Sequence, residues 1–313
     1  MKMDSNPTSS IESAPVTSVN AEVKCTSAPA KAIPAVLDII LDRVPGLPPS
    51  MHIMPRLLRT LGDPHTDISD IADLVAFDPG LTVKLIQSCN TAALAGDMLV
   101  TDVGQAVNRL GMRCVFQVVA ALAGKSVLNS PAIHAVLDVN QLWEHSVMVG
   151  LAASILAKAR EADDSAAFTA GLLHESGKVV MAQAFREYYG ELLTSYSGNP
   201  AVLLARERAT FGFDHPEAGG RLLARGAFPE VIVASVTHQY CPEQAQDHAR
   251  AAALLLVAHA LAGQTQRTAA DHLTTDPMIT PALSLLDLDP DSLAIYRERT
   301  EEEFKFANAL CRL

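Results

Sequence analysis

The sequence predicts an all-α fold, a multi-helix bundle with a helical subdomain at its N-terminal side. Three observations carry this. Apolar residues make up 49% of the 313 positions but aromatics only 5%, so the core is built mostly of Ala, Leu, Val and Ile. Ala and Leu are strong helix formers. Apolar residues recur at helical spacing, as at Ile68, Ile71, Ala72 and Val75, and alternating strand patterns do not occur. No fixed-period repeat points to a solenoid.

Taken in order, residues 1–32 differ from the rest. Twelve of them are Ser, Thr or Pro, and no aromatic residue precedes Phe77. Such a segment buries too little to offset its ordering entropy and reads as a disordered tail. From residue 33 the pattern is helical. Thr66 or Asp67 caps the helix that carries Ile71 and Val75. Asp78-Pro79 opens a new one, because Asp is a good N-cap and Pro is tolerated at the first helical position. A helix over Val103–Leu110 ends at Gly111, and Met112–Leu122 is a buried helix. Leu142–Ala159 carries His145, Val149, Ala152, Ile155 and Leu156 on one face. Phe168, Leu172, Leu173 and Val180 mark the next stretch, with Gly177 interrupting it. Helices follow over Glu217–Ala224 and Glu230–Thr237, the second opened by Pro229. Ala249–Ala262 is almost purely apolar and must be interior. A connection rich in Pro and Asp then leads to Pro290, followed by a C-terminal helix over Leu293–Leu310. The expected division is a tail over 1–32, one domain over 33–245 (a helical part 33–130 and a second part 131–245), and a helical extension over 246–313 packed on the second part.

Composition excludes several functions. Lys and Arg number 24 against 35 Asp and Glu, so 24 − 35 gives −11. The basic residues Lys24, Lys31, Arg56, Arg59, Arg109 and Arg113 are thinly spread, which disfavours duplex DNA. No run approaches the roughly 18 apolar residues of a membrane span. Met1–Ser10 lacks the apolar stretch of a signal peptide, and a cytoplasmic location is expected. The five cysteines are scattered without a CxxC pair, so neither a zinc ribbon nor a disulfide framework is indicated.

The chemistry-bearing residues are histidines. His145 lies mid-helix on an apolar stripe, and His174 with Glu175 ends the run at Leu172-Leu173. His215 follows Asp214 at a helix start, His238 ends an apolar helix, and His259 lies inside the most apolar one. Imidazoles and a carboxylate converging from separate helices are how a bundle holds a metal, and zinc or iron accepts such a set. The alternative is that each is a satisfied core histidine, and spacing alone leaves both readings open. His52, His65, His134, His248 and His272 read as loop or surface residues. Phosphate-loop, dinucleotide, nucleophile-elbow and HExxH motifs are missing. Ser176 and Lys178 read as solvated positions beside a helix-breaking Gly177. The only tryptophan, Trp143, is expected to be buried beside the histidines.

A family resemblance rests on several ordered motifs. Asp78-Pro79-Gly80-Leu81 with Asn90-Thr91 is similar to a DPxL…N[ST] helix, and Gln105-Ala106-Val107-Asn108-Arg109-Leu110-Gly111 to a QAIxxLG element. Leu142-Trp143-Glu144-His145-Ser146 matches LWxHS. The run from Ala170 through His174-Glu175-Ser176-Gly177-Lys178 matches AGLLHDIGK. Asp214-His215-Pro216-Glu217-Ala218-Gly219 resembles DHxxxG, and His238-Gln239 stands where a His pair is frequent. Leu286-Asp287-Leu288-Asp289-Pro290 resembles the segment that follows the domain. Together these resemble the HDOD family, HD-related output domains of bacterial signalling proteins, over residues 33–307.

The resemblance implies an HD-like bundle, and the related HD phosphohydrolases hold metal with a His, a His-Asp doublet and a later Asp. Carried over, these fall on His145, His174 with Glu175, and His259 in place of the later Asp, with His215 and His238 as additional candidates. One divalent metal, iron, zinc or manganese, is the cofactor such a set implies. Glu175 keeps the charge of the Asp but moves it by a methylene, and His259 replaces an anion by a neutral donor. Inherited hydrolysis is therefore not expected, and no catalytic residue is assigned. Gly226-Ala227-Phe228-Pro229 is only a distant echo of a GYP element, which sets the chain apart from the cyclic di-GMP phosphodiesterases. The implied function is a non-enzymatic regulatory module that binds a protein partner or a small ligand such as cyclic di-GMP. The alternative is a metal-dependent phosphohydrolase with an altered ligand set, in which Lys178 or Arg221 pairs with a substrate phosphate.

Overall fold

The computed structural model describes residues 33–311 apart from positions 45, 64, 92–98, 129, 195–199 and 264–276. The expected tail over 1–32 and His272 lie outside the described residues. Among those described there is no strand. The helices are α1 (Ile33–Arg43), α2 (Met54–Leu61), α3 (Ile68–Ala76), α4 (Pro79–Cys89), α5 (Val103–Leu110), α6 (Met112–Lys125), α7 (Pro131–His134), α8 (Val139–Ala159), α9 (Asp164–Leu173), α10 (Ser176–Ala184), α11 (Arg186–Thr194), α12 (Pro200–Phe211), α13 (His215–Arg225), α14 (Glu230–Thr237), α15 (Ala249–Gly263), α16 (Ile279–Leu285) and α17 (Leu293–Cys311).

Aspartate starts many of them. Asp78, Asp102, Asp138, Asp163 and Asp214 each accept a hydrogen bond from the first turn of the helix that follows. At α13 the arrangement is reciprocal: Asp214 accepts from the Glu217 N–H at 3.0 Å, and Glu217 accepts from the Asp214 N–H at 3.2 Å. Each such cap stabilises its helix by about 1 kcal/mol. The helix ends are less ordinary. After α8, the Ala162 N–H reaches the Ala157 carbonyl at 2.9 Å while Glu161 takes a φ of 54°. Ala227 and Asp287 do the same after α13 and α16, at φ 57° and 52°. These are left-handed helix caps built without glycine.

Helix α8 is the axis of the molecule. It packs against α9, α15 and α17, and its residues Ser146–Ala157 are all buried. The expected single apolar face is thus a helix enclosed on every side. Burying a Leu, Ile or Val contributes roughly 1.5–3 kcal/mol, so Val147, Val149, Leu151, Ile155 and Leu156 anchor this helix strongly. Helices α3 to α6 pack among themselves, and α6 joins them to α9. Helices α10, α13 and α14 form the other flank, and α14 returns to α9 and α15. Helix α1 lies on that flank, where Leu37 and Leu41 join Met181, Tyr189, Phe213 and Leu222 in a second apolar cluster.

Two close approaches set the spacing of the central helices. A Cβ on Gly171 of α9 would lie 2.7 Å from the Gly150 backbone and the Val149 carbonyl of α8. A Cβ on Gly177 would lie 1.7 Å from the His215 carbonyl. Gly177 therefore does not break a helix, contrary to expectation. The break falls at His174-Glu175, between α9 and α10, and Gly177 is the contact that seats α10 on α13. Helices α1, α2, α7, α11, α12 and α16 were not individually expected. Cys89 and Cys114 are free, whereas Cys241 is disulfide-bonded, which the scattered spacing did not indicate.

Candidate metal centre

Three helices and one helix break converge on a single point. His145 projects from α8, His174 is the residue that ends α9, Glu175 precedes α10, and His259 lies in α15. The three imidazoles form a near-equilateral triangle: ring centroids are 5.2 Å apart for His145–His174, 5.1 Å for His145–His259 and 5.2 Å for His174–His259. One ligand atom from each histidine and one Glu175 oxygen lie within 4.8 Å of one another. His174 and Glu175 are buried, while His145 and His259 keep part of their surface accessible.

The hydrogen bonds orient these groups. His174 Nδ1 lies 2.7 Å from the Gly171 carbonyl, which can only accept, so Nδ1 carries the proton and Nε2 presents a lone pair. That Nε2 is 3.4 Å from Glu175 Oε1 and has no hydrogen-bond partner. Glu175 Oε1 accepts from Lys178 Nζ at 2.7 Å, and Oε2 is buried without a partner. A buried carboxylate oxygen and a buried imidazole nitrogen facing the same centre cost stability unless something binds there. A divalent cation satisfies both at once, and the donor set of nitrogen and carboxylate oxygen suits iron, zinc or manganese.

Electrostatics prepares the same state. Burial lowers His145 to about 3, with the neighbouring His174 adding to the effect. Burial likewise holds His259 well below the usual histidine range, reinforced by His145 and His174. Burial alone would raise Glu175, but the Lys178 ammonium at 2.7 Å outweighs it and holds the carboxyl well below its ordinary range. Neutral imidazoles and an ionised carboxylate are the protonation states that metal ligands need.

His215 and His238, the two additional candidates, lie outside this group. His215 is fully buried at the start of α13, and its Nδ1 donates to Glu207 Oε2 at 2.7 Å. The same oxygen accepts the His215 backbone N–H at 2.9 Å, and the Tyr189 hydroxyl donates to Glu207 Oε1 at 2.8 Å. Burial acts to raise Glu207, but the hydrogen bonds from His215 and Tyr189 bring it below its normal value. His215 Nε2 is left buried and unpartnered. The Tyr240 ring bridges the two groups, 5.9 Å from His215 and 5.7 Å from His259. Sequence reasoning missed Glu207 and Tyr189 altogether, because neither α11 nor α12 was individually expected and their pairing is made between helices. His238 ends α14, half-buried, with its pKa lowered by burial.

Other expected roles move. Ser176 is buried rather than solvated, and Lys178 is bound to Glu175. Arg221 is held by both oxygens of Asp38 in α1, at 2.9 and 2.7 Å, so it is a tie between helices and not a phosphate clamp. Gln239, where a second His is frequent, is buried and donates to the His174 carbonyl at 3.2 Å. Asn90 pairs through both side-chain atoms with the Val100 backbone, at 2.7 and 2.8 Å, and Gln105 accepts from the Thr101 N–H at 3.0 Å. The N-terminal motif residues thus hold the fold, while the later ones assemble the centre. Trp143 is buried, and with Glu175 it lines one small void.

A family model described as the HDOD domain matches residues 47–242. An uncharacterized protein of Treponema pallidum (strain Nichols) is 26% identical over 214 residues, 67% of this chain and 40% of that protein. The chain thus spans well under half the length of this relative. Among solved structures, an HDOD domain protein of unknown function from Geobacter sulfurreducens superposes with a TM-score of 0.69 at 22% identity, over 88% of this chain and 97% of the other. A candidate phosphohydrolase from Shewanella amazonensis SB2B gives 0.68 at 21% identity, over 89% and 97%. At these identities the structures speak for the shared fold.

Proposed function

Because the chain belongs to the HDOD family, we propose that it is a regulatory module that holds a divalent metal in an HD-derived centre and acts by association with a partner rather than by turnover. The observation that carries this reading is the His145–His174–Glu175–His259 convergence, with His174 Nε2 and Glu175 Oε2 buried and unpartnered. Three imidazoles and one carboxylate supply four protein donors, the number that fills a closed structural site. When bound, the metal would supply cross-linking of α8, α9, α10 and α15 at one point. Hydrolysis needs an open position and a water of lowered pKa, and four protein donors leave no such position on tetrahedral zinc. Lys178 further neutralises the only anionic donor. The partner in this reading is a regulatory protein, and cyclic di-GMP is the small ligand to test first, by calorimetric titration.

A second reading is hydrolytic, and one observation favours it. His215 Nε2, with its tautomer fixed by Glu207, is a buried, unpartnered group next to the centre and could serve as a base. One assay separates the two. Wild-type protein loaded with manganese or iron is expected to leave a phosphoester panel intact, whereas turnover abolished by His174→Ala would establish the hydrolase. Restoring the carboxylates with Glu175→Asp and His259→Asp would create activity only if the rest of the site is still catalytic.

A further inference from the structure

A cavity of about 370 Å³ lies between α6, α8, α9 and α17. That volume falls within the range of small-molecule sites, roughly 300–1,000 Å³. Its floor is apolar: Val118 and Ala121 of α6, Val147 and Leu151 of α8, and Phe168 of α9. At its rim Phe306 of α17 is 47% exposed, an apolar ring left in water. Apolar surface held open in this way favours an occupant that covers it.

The charged groups around it cancel. Arg113 is paired with Asp164 and also donates to Ser154 Oγ at 2.9 Å. Lys158 and Glu303 stand exposed at the rim with opposite signs. Counting Asp164, two cations meet two anions, so the lining selects no ion. Burial raises the Cys114 thiol, with Glu303 adding to the effect, so Cys114 lines the cavity as a neutral group. One polar side chain remains available. Among the described residues Gln117 makes a single hydrogen bond, from Nε2 to Ser154 Oγ, and at 3.5 Å it is long. Its Oε1 has no partner and, unlike the orphaned atoms of the metal centre, is not enclosed. One such acceptor on an apolar wall is how a small-molecule site fixes the orientation of its ligand.

We propose that this cavity binds an uncharged, largely apolar small molecule of one or two rings that carries a hydroxyl, with the hydroxyl donating to Gln117 Oε1 and the rings on the floor of α6, α8 and α9. The site shares two helices with the metal centre. Val147 lies two residues beyond His145 in α8, and Phe168 six residues before His174. Phe168 also sits at the contact between α8 and α9, since a Cβ on Gly150 would lie 3.0 Å from its carbonyl. An occupant therefore bears on the helix pair whose spacing brings His145 and His174 together. Its role as a signal input rests on the regulatory reading above, whereas the binding does not.

The test uses the full chain with three probes of similar size, naphthol, naphthoate and naphthylmethylammonium, followed by ligand-observed NMR. Neutral naphthol is expected to bind with a Kd on the order of 0.1–1 mM. Both ions should bind at least about tenfold more weakly, because a charge entering here finds no unpaired partner. Ala307→Phe, which fills the cavity from α17, should weaken naphthol binding at least about tenfold. Gln117→Leu, which keeps the volume and removes the acceptor, should weaken it about three- to tenfold. Cys114 reports the position directly: saturating naphthol should slow its alkylation by N-ethylmaleimide, read by mass spectrometry at mildly alkaline pH. The proposal is overturned if naphthol does not bind, if either ion binds as tightly, if both variants bind like wild type, or if bound naphthol leaves Cys114 alkylation unchanged. Metal content is not the readout, so failure here leaves the metal reading standing.

Discussion

His145 and His259 are held neutral by their surroundings, and this has a consequence for metal-free protein. Above about pH 6.5 both the folded and unfolded histidines are neutral, and the shift has no effect. Below it the unfolded chain takes up protons that the folded one refuses until His145 reaches about 3. Stability must therefore fall with pH across that window, by up to about 1.4 kcal/mol per unit for each such histidine. Glu175, depressed well below 4.5, works in the same direction at lower pH, since the folded form stays charged while the unfolded one protonates. Denaturant titrations of metal-free protein should show a midpoint that drops as pH goes below 6.5, and a shallower drop in His145→Gln. A flat profile would contradict the burial of these rings. Glu207 offers a separate test. Replacing it by Ala strands the Tyr189 hydroxyl, the His215 N–H and the His215 Nδ1–H in the interior. The cost should be about 3–5 kcal/mol, yet metal bound per folded chain should not change, because His215 is not among the four donors.

At the scale of elements, the glycine contact between α8 and α9 decides whether His145 and His174 meet. Gly171→Ala places a methyl against the Gly150 backbone and should cost about 1–3 kcal/mol. It should also weaken metal binding in direct titration, since the helices must part. Ala227→Gly is expected to act the other way, raising stability by about 0.5–1 kcal/mol, because Ala227 is strained at a φ of 57° and glycine is not. These two sites also mark what could be read from the chain. Helix starts were legible, as at Asp78-Pro79 and Asp214-His215, because a capping aspartate is a local signal. Two helix ends were legible as well, since α8 ends at the expected Ala159 and α13 at Arg225, one residue past the expected Ala224. The left-handed residues that close them, Glu161 and Ala227, are not glycine and leave no mark in the sequence. Gly177 was taken for a breaker because close backbone approach and helix termination look alike in one dimension. Glu207 went unseen because its pairing with His215 and Tyr189 is made between helices and leaves no local signal in the sequence.

For the molecule as a whole, the histidine convergence was legible only as far as the motifs reached: His145, His174, Glu175 and His259 were selected by resemblance, and their meeting is a property of how α8, α9 and α15 cross. The buried network behind His215 depends on contacts between residues 18 and 8 positions apart, on helices that composition did not announce. Among the described residues no single helix is long and apolar enough to cross a membrane, and the strongly apolar α8 and α15 form the interior instead. A bundle organised around one cluster of donors stands or falls with the occupant of that cluster. The decisive measurement is elemental mass spectrometry on untagged protein purified without chelator, for wild type and His145→Ala. The account predicts about one iron, zinc or manganese per wild-type chain, lost in the variant. A folded wild-type protein without stoichiometric metal would contradict it, and would make the four residues a core left over from an ancestral site.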